Sequence, residues 1–516
     1  MPSFIALGVT GLIAAYIFLR TLVYLTHDPR EPKVLAGTIP FVSPLIGMLT
    51  EKGRYYVRMR DTYGLPIYTL KMPGASLYVV NSLQLIQRID RHILTVAFSP
   101  IQARVCDKVM CVSKSGMATI AGEKEVTEDG YLRSFPRSTA PGTSPGPGLD
   151  SLNRAAVNCF AASFDKLAKQ ESCTVKLYEW LRHEIFASTM EATYGPHNPF
   201  RKPELEQAWF QFESGIMTLL MDMFPRIFAR QTLKTRELMV AEFDRYFEQQ
   251  RHLEGSLLVQ LRQKHNAAFG LDKDSAHIEI GQVAAGIVNT APTAFWTIWQ
   301  VLSDPIVLED CRREVTNLVT TDAHGVCVID LAQVKTKCPI LVSTWQEVLR
   351  FHGISIAARI IKEDTLVDNQ YLLKKGGVLL IPNAVIHSDQ TLWGPTADVF
   401  NHKRFLKTTK DEAHRFPAAA FRGFGGGHVL CPGRHFASTE VLAILALILA
   451  RCDVQPVGGK WIEPKKDNVM DRACPLPKQD LQVTLVPKSN QQWRVVFSNN
   501  DKGINIVAED FCEKGT

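Results

Sequence analysis

The stretch Phe424–Ala437, FGGGHVLCPGRHFA, narrows what this chain can fold into more than any other. Gly425, Gly426 and Gly427 approach a lone Cys431, and Pro432 and Gly433 lead at once into the apolar helical pattern RHFASTEVLAILALILA. Glycine removes side chains and permits positive φ, so backbone N–H groups can turn toward the sulfur. Pro432 is expected in the first helical turn, where its missing N–H costs nothing. A helix amino terminus favours an anion, and a buried thiolate needs such compensation. The layout reads as a thiolate seat facing a flat, close object. A dinucleotide loop beginning at Gly423 would need glycine where His428 stands, and no GxxxxGK[ST] phosphate loop occurs. Zinc would need more partners than His428 and His435.

The rest of the sequence sets the setting for that seat. A chain of 516 residues with 46% hydrophobic and 21% charged residues is globular, and its net charge of +6 is too diffuse for nucleic acid. Its eleven cysteines are scattered and never spaced CxxC, which fits a reducing compartment with inert, buried thiols elsewhere. Near the amino terminus, FIALGVTGLIAAYIFLRTLVYL (Phe4–Leu25) carries a single charge, Arg20. Its 22 residues reach roughly 33 Å as a helix, enough for a hydrocarbon core of about 30 Å. Arg20 lies off-centre, where it can reach the interface. Arg30 and Lys33 follow the span and no Lys or Arg precedes it, so residues 1–25 are expected to anchor a body that faces the cytoplasm.

Residues 26–50 contain Pro29, Pro32, Pro40 and Pro44 and read as a stiff, non-helical hinge. PIYTLKMPGASLYVVNS alternates like a hairpin, and GGVLLIP and DLQVTLVP are further strand-like pieces. PRSTAPGTSPGPG, Pro136–Gly148, reads as a loop. Helical patterns dominate from Leu152 to Gln300, and no repeat or composition shift divides residues 51–516. The expected body is one mainly α domain with a small β part.

At the thiolate seat the chain resembles the cytochromes P-450, haem-thiolate enzymes with the pattern F-x-x-G-x-x-x-C-x-G. Phe424, Gly427, Cys431 and Gly433 fill it. The family's E-x-x-R is matched by Glu347 and Arg350, and Arg404 in DVFNHKRF stands where the family closes a triad with them, although His402 replaces the usual proline. Arg359 falls where the family commonly holds a haem propionate; the tryptophan and arginine usual on the N-terminal side are not found around YLRSFPR. The resemblance runs over nearly the whole chain. It implies the cytochrome P-450 fold behind a single transmembrane helix. It further implies haem b (iron protoporphyrin IX) with Cys431 as axial ligand and Phe424, Gly427, His428, Gly433 and Arg359 around the cofactor. The activity implied is transfer of one oxygen atom from dioxygen into an unactivated C–H bond, because a thiolate ligand favours O–O cleavage.

The central helix departs from the family. Where A/G-G-x-D/E-T is usual, VAAGIVNTAPTAFW has Ala285 and Gly286, then Val288 for the acid and Asn289 for the threonine, with Thr290 one position late. Pro292 should kink the helix by freeing the carbonyl of Val288. Gly286, Asn289 and Thr290 are the candidate catalytic residues, and two readings of Asn289 stay open: it holds a proton-relaying water with that carbonyl, or it only caps the kink. The N-x-x-P-x-x-F-W pattern resembles the branch containing sterol hydroxylases and prostacyclin synthase, so an isomerase needing no external electrons is an alternative, as is a haem protein without turnover.

The Glu206–Phe228 stripe of Trp209, Phe210, Phe212, Met217, Met221, Met223 and Phe224 reads either as core or as the family's pocket roof. With the small, uncharged loop Gly353–Ala358, it implies a bulky apolar substrate, terpenoid, meroterpenoid or sterol-like, in the manner of fungal secondary metabolism. No flavin or nicotinamide domain is present, so the resemblance implies a separate NADPH–cytochrome P-450 reductase and a place in the endoplasmic reticulum membrane.

Overall fold

The computed structural model describes residues 2–35, 37, 39–122, 127–222, 224–406, 416–469, 471–489, 491–499 and 507; Met223 and Cys512 lie outside them. Apolar patterning places most of the chain in helices. In chain order, those that matter here are α1 (Pro2–Thr26), α2 (Tyr131–Thr143), α3 (Pro147–Leu167), α4 (Leu177–Tyr194), α5 (Pro203–Met221), α6 (Leu257–Ala268), α7 (Ser275–Ile287), α8 (Thr290–Ser303), α9 (Pro339–Phe351) and α10 (Arg434–Arg451). The strands of the largest sheet are β1 (Ile67–Met72), β2 (Ala75–Val80), β3 (Val96–Ala97), β4 (Ile356–Ile361) and β5 (Val378–Pro382), in the order β1-β2-β5-β4-β3.

The core forms around α10. Val441 through Leu449 are all buried, as a helix that is apolar on every side must be. It packs against α3 and α8, and Phe160, Phe295, Trp296 and Trp345 complete the same cluster. The expected hairpin is present: β1 and β2 pair antiparallel from Ile67 opposite Val80 to Met72 opposite Ala75, with Gly74 at φ 75° in the turn. GGVLLIP supplies β5 and DLQVTLVP a strand at Gln482–Pro487.

Three local expectations are corrected. Pro136–Gly148 is not a loop throughout, because α2 runs through Pro136 and Pro141 to Thr143, and α3 begins at Pro147. Packing overrides propensity: Tyr131, Leu132, Thr139, Gly142 and Thr143 are buried, and a Cβ on Gly142 would come within 2.8 Å of the Leu258 backbone on α6. The proline-rich segment 26–50 is not wholly extended, since Val42–Glu51 is helical with Pro44 in its first turn, where proline is tolerated. Its first half is sewn to the sheet: the Thr69 N–H donates to Lys33 O at 2.9 Å and the Leu35 N–H to Thr69 O at 2.9 Å. Lastly, Pro432 lies outside α10, whose N-cap is Gly433.

α1 contains the one helix among the described residues that is long and apolar enough to cross a membrane, Val9–Thr26, with mean hydropathy 1.6 and none of it buried. Arg20 donates to the Tyr16 hydroxyl at 3.0 Å and to Gly37 O at 3.1 Å.

Candidate functional site

A cavity of about 430 Å³ opens between α7, α8, α10 and the loop before α10. Gly286, Asn289, Thr290, Phe424, Gly425, Cys431 and Gly433 all line it, so residues far apart in sequence meet there. That volume falls in the usual range for a small-molecule or cofactor site.

The loop holds its cysteine by backbone. Cys431 N–H donates to Phe424 O at 3.0 Å, closing the turn, and Gly425 (φ 83°) and Gly427 (φ 60°) occupy the left-handed region. A side chain at 427 would also meet the Asp90 carboxyl at 2.9 Å. Ending the turn at Gly433 rather than Pro432 aims the N–H groups of Gly433 and Arg434 at the sulfur. Burial pushes the Cys431 thiol up, while those two amides and the Arg434 charge pull it back. Among the described residues no three His, Cys, Asp or Glu gather as a metal cluster. Cys431 thus stands without neighbouring protein ligands of that kind among the described residues, and a thiol that coordinates a metal is deprotonated outright.

Arg359 on β4 is not among the residues that line this cavity, nor are Gly427 and His428. Arg359 is 6% exposed, burial lowers its guanidinium to about 10, and it donates to Ala358 O at 2.8 Å. Asp90 raises it again and Arg422 lowers it further, and an anionic substituent on a bound group would offset the burial. His428 is exposed in the Gly427–Val429 turn.

Behind the loop, Glu347 and Arg350 on α9 are fully buried and meet twice at 2.7 Å. Arg404 Nε reaches both Glu347 oxygens at 3.1 Å and its Nη2 donates to Thr396 O at 2.8 Å. The three expected residues thus form one network. His402, where proline is usual, bonds Asp310 at 3.0 Å.

The helix breaks at Val288 and Asn289, with Pro292 in the first turn of α8, but its freed groups are already taken. Val288 O accepts from Arg472 Nη1 at 3.1 Å, and Asn289 Oδ1 accepts from the Ala473 N–H at 2.8 Å. Thr290 Oγ1 donates back to Gly286 O at 3.1 Å. The aromatic stripe divides: Trp209 and Phe212 are core, whereas Met221 and Phe224 are exposed, as are Ile227 and Phe228 beyond. Ser355 and Ile356, from the small uncharged loop, line the cavity.

Three groups escaped the sequence reading. Arg472 lines the cavity and pairs with Glu213 of α5 at 2.6 Å. Trp345 lines it too and donates to Ser438 Oγ at 3.2 Å. Glu440 is fully buried in α10, accepts from Thr189 Oγ1 at 2.7 Å, and is pushed up to about 8 by burial. Its signal was there: a single acid inside an otherwise apolar helix.

Comparison with known proteins agrees with this geometry. The family model for cytochrome P-450 matches residues 32–484. Cytochrome P-450 monooxygenase nodJ of Hypoxylon pulicicidum is 32% identical over 470 residues, covering 89% of this chain and 90% of that protein. Cytochrome P-450 7B1 of Mus musculus is 24% identical, over 88% of this chain and 92% of its own length. The 7-alpha-hydroxycholest-4-en-3-one 12-alpha-hydroxylase of Homo sapiens is 23% identical, over 86% and 90%. Fungal monooxygenases and sterol hydroxylases are therefore both among its relatives. Likeness of this extent assigns the chain: it belongs to the cytochrome P-450 family.

Proposed function

We propose that this chain is a membrane-anchored, haem b-dependent monooxygenase that inserts one oxygen atom from dioxygen into a bulky apolar substrate, terpenoid, meroterpenoid or sterol-like, in fungal secondary metabolism. The observation that carries the reading is Cys431: a thiol with two backbone donors, at the floor of a cavity it shares with Gly286 and Thr290. Residues 1–25 anchor it, 26–50 fix its attitude, and 51–516 form the catalytic domain, at the endoplasmic reticulum membrane beside an NADPH–cytochrome P-450 reductase. Exposed Met221, Phe224, Ile227 and Phe228 suit a face turned to lipid.

The haem, when bound, supplies oxygen activation. Cys431 would hold its iron as a thiolate, with the Gly433 and Arg434 amides favouring the charged sulfur. The bare backbone at Gly425 and Gly427 would leave room for the ring beside Phe424 and His428, and Arg359 would take a propionate by a charge-assisted bond. Glu347, Arg350 and Arg404 hold the loop's support rigid. Thr290 Oγ1 donates to Gly286 O, which leaves its lone pairs to accept from a water; passing a proton on would need the hydroxyl to turn its own hydrogen from Gly286 O into the cavity. Asn289 Oδ1 is engaged by Ala473, so it serves that relay less directly.

Expression in microsomes with the reductase tests the reading. The ferrous carbonyl adduct should absorb at the long wavelength of thiolate ligation, and a terpenoid or steroid library should yield an NADPH-dependent product one oxygen heavier. A globin-like carbonyl spectrum overturns the haem-thiolate assignment; rearranged product without NADPH replaces oxygenation with isomerisation.

A further inference from the structure

Arg472 stands at a junction. Its Nη1 donates both to Glu213 Oε1 at 2.6 Å and to Val288 O at 3.1 Å. Glu213 sits on α5 among the buried aromatics Trp209 and Phe212, and its other oxygen accepts from Arg182. Asp471 lies 3.9 Å from Arg472 Nε, so the two cations and two carboxylates of this cluster balance. Next door, Ala473 gives its N–H to Asn289 at 2.8 Å and takes the Ile354 N–H on its carbonyl at 2.9 Å. Pro475 O accepts from Trp296 Nε1 of α8 at 2.7 Å. Residues 471–475 are thus bonded to α5, to the α7–α8 break, to α8 and to the segment entering β4. Asn289, Thr290, Ser355 and Arg472 itself line the cavity, while α5 reaches that wall through Glu213 and Arg472.

The charges are costly where they stand. Glu213 and Arg472 are each about nine-tenths buried, and a buried pair seldom repays its desolvation as stability alone. What such a pair does well is fix one arrangement among several. Here the pair also closes the helix break, because Pro292 leaves Val288 O without a helical donor and Arg472 supplies one.

We propose that Arg472 is a specificity-determining positioning residue, which latches α5 to the α7–α8 break so that the upper cavity wall presents one shape to substrate. The proposal rests on the monooxygenase reading only for what the cavity binds; the latch itself is a property of the chain. With it closed, large rigid ligands find a preformed wall. With it open, α5 and residues 471–473 move independently, and a large ligand must order them on binding. A small ligand seated at the iron feels little of this.

The test uses the full-length holoenzyme and four variants: Arg472→Met, Arg472→Lys, Glu213→Gln and Arg182→Met. Two iron-coordinating probes are titrated by their optical shift: imidazole, too small to reach the wall, and ketoconazole, which extends far beyond the iron. Amide hydrogen exchange is followed in peptides covering 205–221 and 471–475. Arg472→Met should weaken ketoconazole about tenfold, leave imidazole within twofold, and speed exchange in both segments together. Glu213→Gln should do the same more mildly, and combining it with Arg472→Met should cost clearly less than the sum of the two, since they share the Arg472–Glu213 contact. Arg182→Met should loosen 205–221 alone. Arg472→Lys keeps the charge and should recover part of the ketoconazole affinity, and it stands in should Arg472→Met fail to fold.

Equal losses for both probes, additive effects of the two substitutions, or unchanged exchange at 205–221 in the Arg472 variants would overturn the latch. A wild type without thiolate-ligated haem would instead overturn the proposed function, and the exchange data would still decide the latch.

Discussion

The two sides of the cavity are built by opposite means. On the Cys431 side, the groups that seat the sulfur lie within eleven residues: positive φ at Gly425 and Gly427, the Phe424 carbonyl, and the amides of Gly433 and Arg434. On the Asn289 side, the shape comes from partners 184 residues away in sequence, Arg472 and Ala473, and from Glu213, which is 259 residues from Arg472. A site that must hold one atom in one place can be local. A wall that must fit a particular ligand draws on distant segments, because only they span its width.

The sharpest way to break the comparison is to remove the local side's one reactive atom. Cys431→Ser should abolish the long-wavelength ferrous carbonyl band and lower oxygenation by at least about a thousandfold, since the hydroxyl remains protonated and binds iron weakly. The amides of Gly433 and Arg434 cannot replace it. Retained activity in a purified Cys431→Ser holoenzyme would remove sulfur from the chemistry altogether.

What was legible in the sequence follows the same division. Cys431 and its glycines were readable because their geometry is set by neighbours. Glu347 and Arg350 were readable because i and i+3 share a helix face. Arg404 needed the family resemblance. The helix through Pro136 and Pro141 was misread because burial against α6 outweighs the two lost hydrogen bonds, and burial partners leave no local mark. Arg472 was missed for the same reason. Its signal, an arginine in DRACP and a glutamate amid WFQFES, is meaningful only once the two are known to touch.

Next in size is the support beneath the loop. Glu347→Gln leaves Arg350 and Arg404 buried without their carboxylate, and should cost about 3–5 kcal/mol of stability, read as a large fall in the thermal midpoint and in recovered holoenzyme. A midpoint within a degree of wild type would mean that the pair is dispensable to the loop it underlies.

Glu440 makes a somewhat smaller, pH-dependent prediction. Burial raises its carboxyl from 4.5 to about 8, so between those values the folded chain holds a proton that the unfolded chain has released. Stability from this group therefore falls as pH rises across that window and is constant above it. Glu440→Gln keeps an oxygen to accept from Ser188 and Thr189 but has no proton to lose. It should match wild type near pH 4 and exceed it by about 1–3 kcal/mol near pH 9, measured by denaturant unfolding at both values. An unchanged pH slope in the variant would place the linkage elsewhere.

Asn289 stands at the N-cap of α8 but its side chain makes no capping hydrogen bond, and the smallest effect separates the relay reading from the Ala473 contact found in place of a cap. If its task is to accept the Ala473 N–H, Asn289→Asp should preserve ketoconazole affinity within about twofold, because a carboxylate accepts the same bond. Asn289→Thr restores the residue usual in the family but is too short to span the 2.8 Å contact. It should weaken that ligand several-fold, equivalent to about 1 kcal/mol for one lost hydrogen bond. If instead the carboxamide relays protons, the ranking inverts: Asn289→Thr keeps coupling of oxygen consumption to product, and Asn289→Asp shifts its pH profile. The two variants together decide whether the break in α7–α8 belongs to the chemistry or to the wall, since one measurement reads ligand fit and the other reads proton supply.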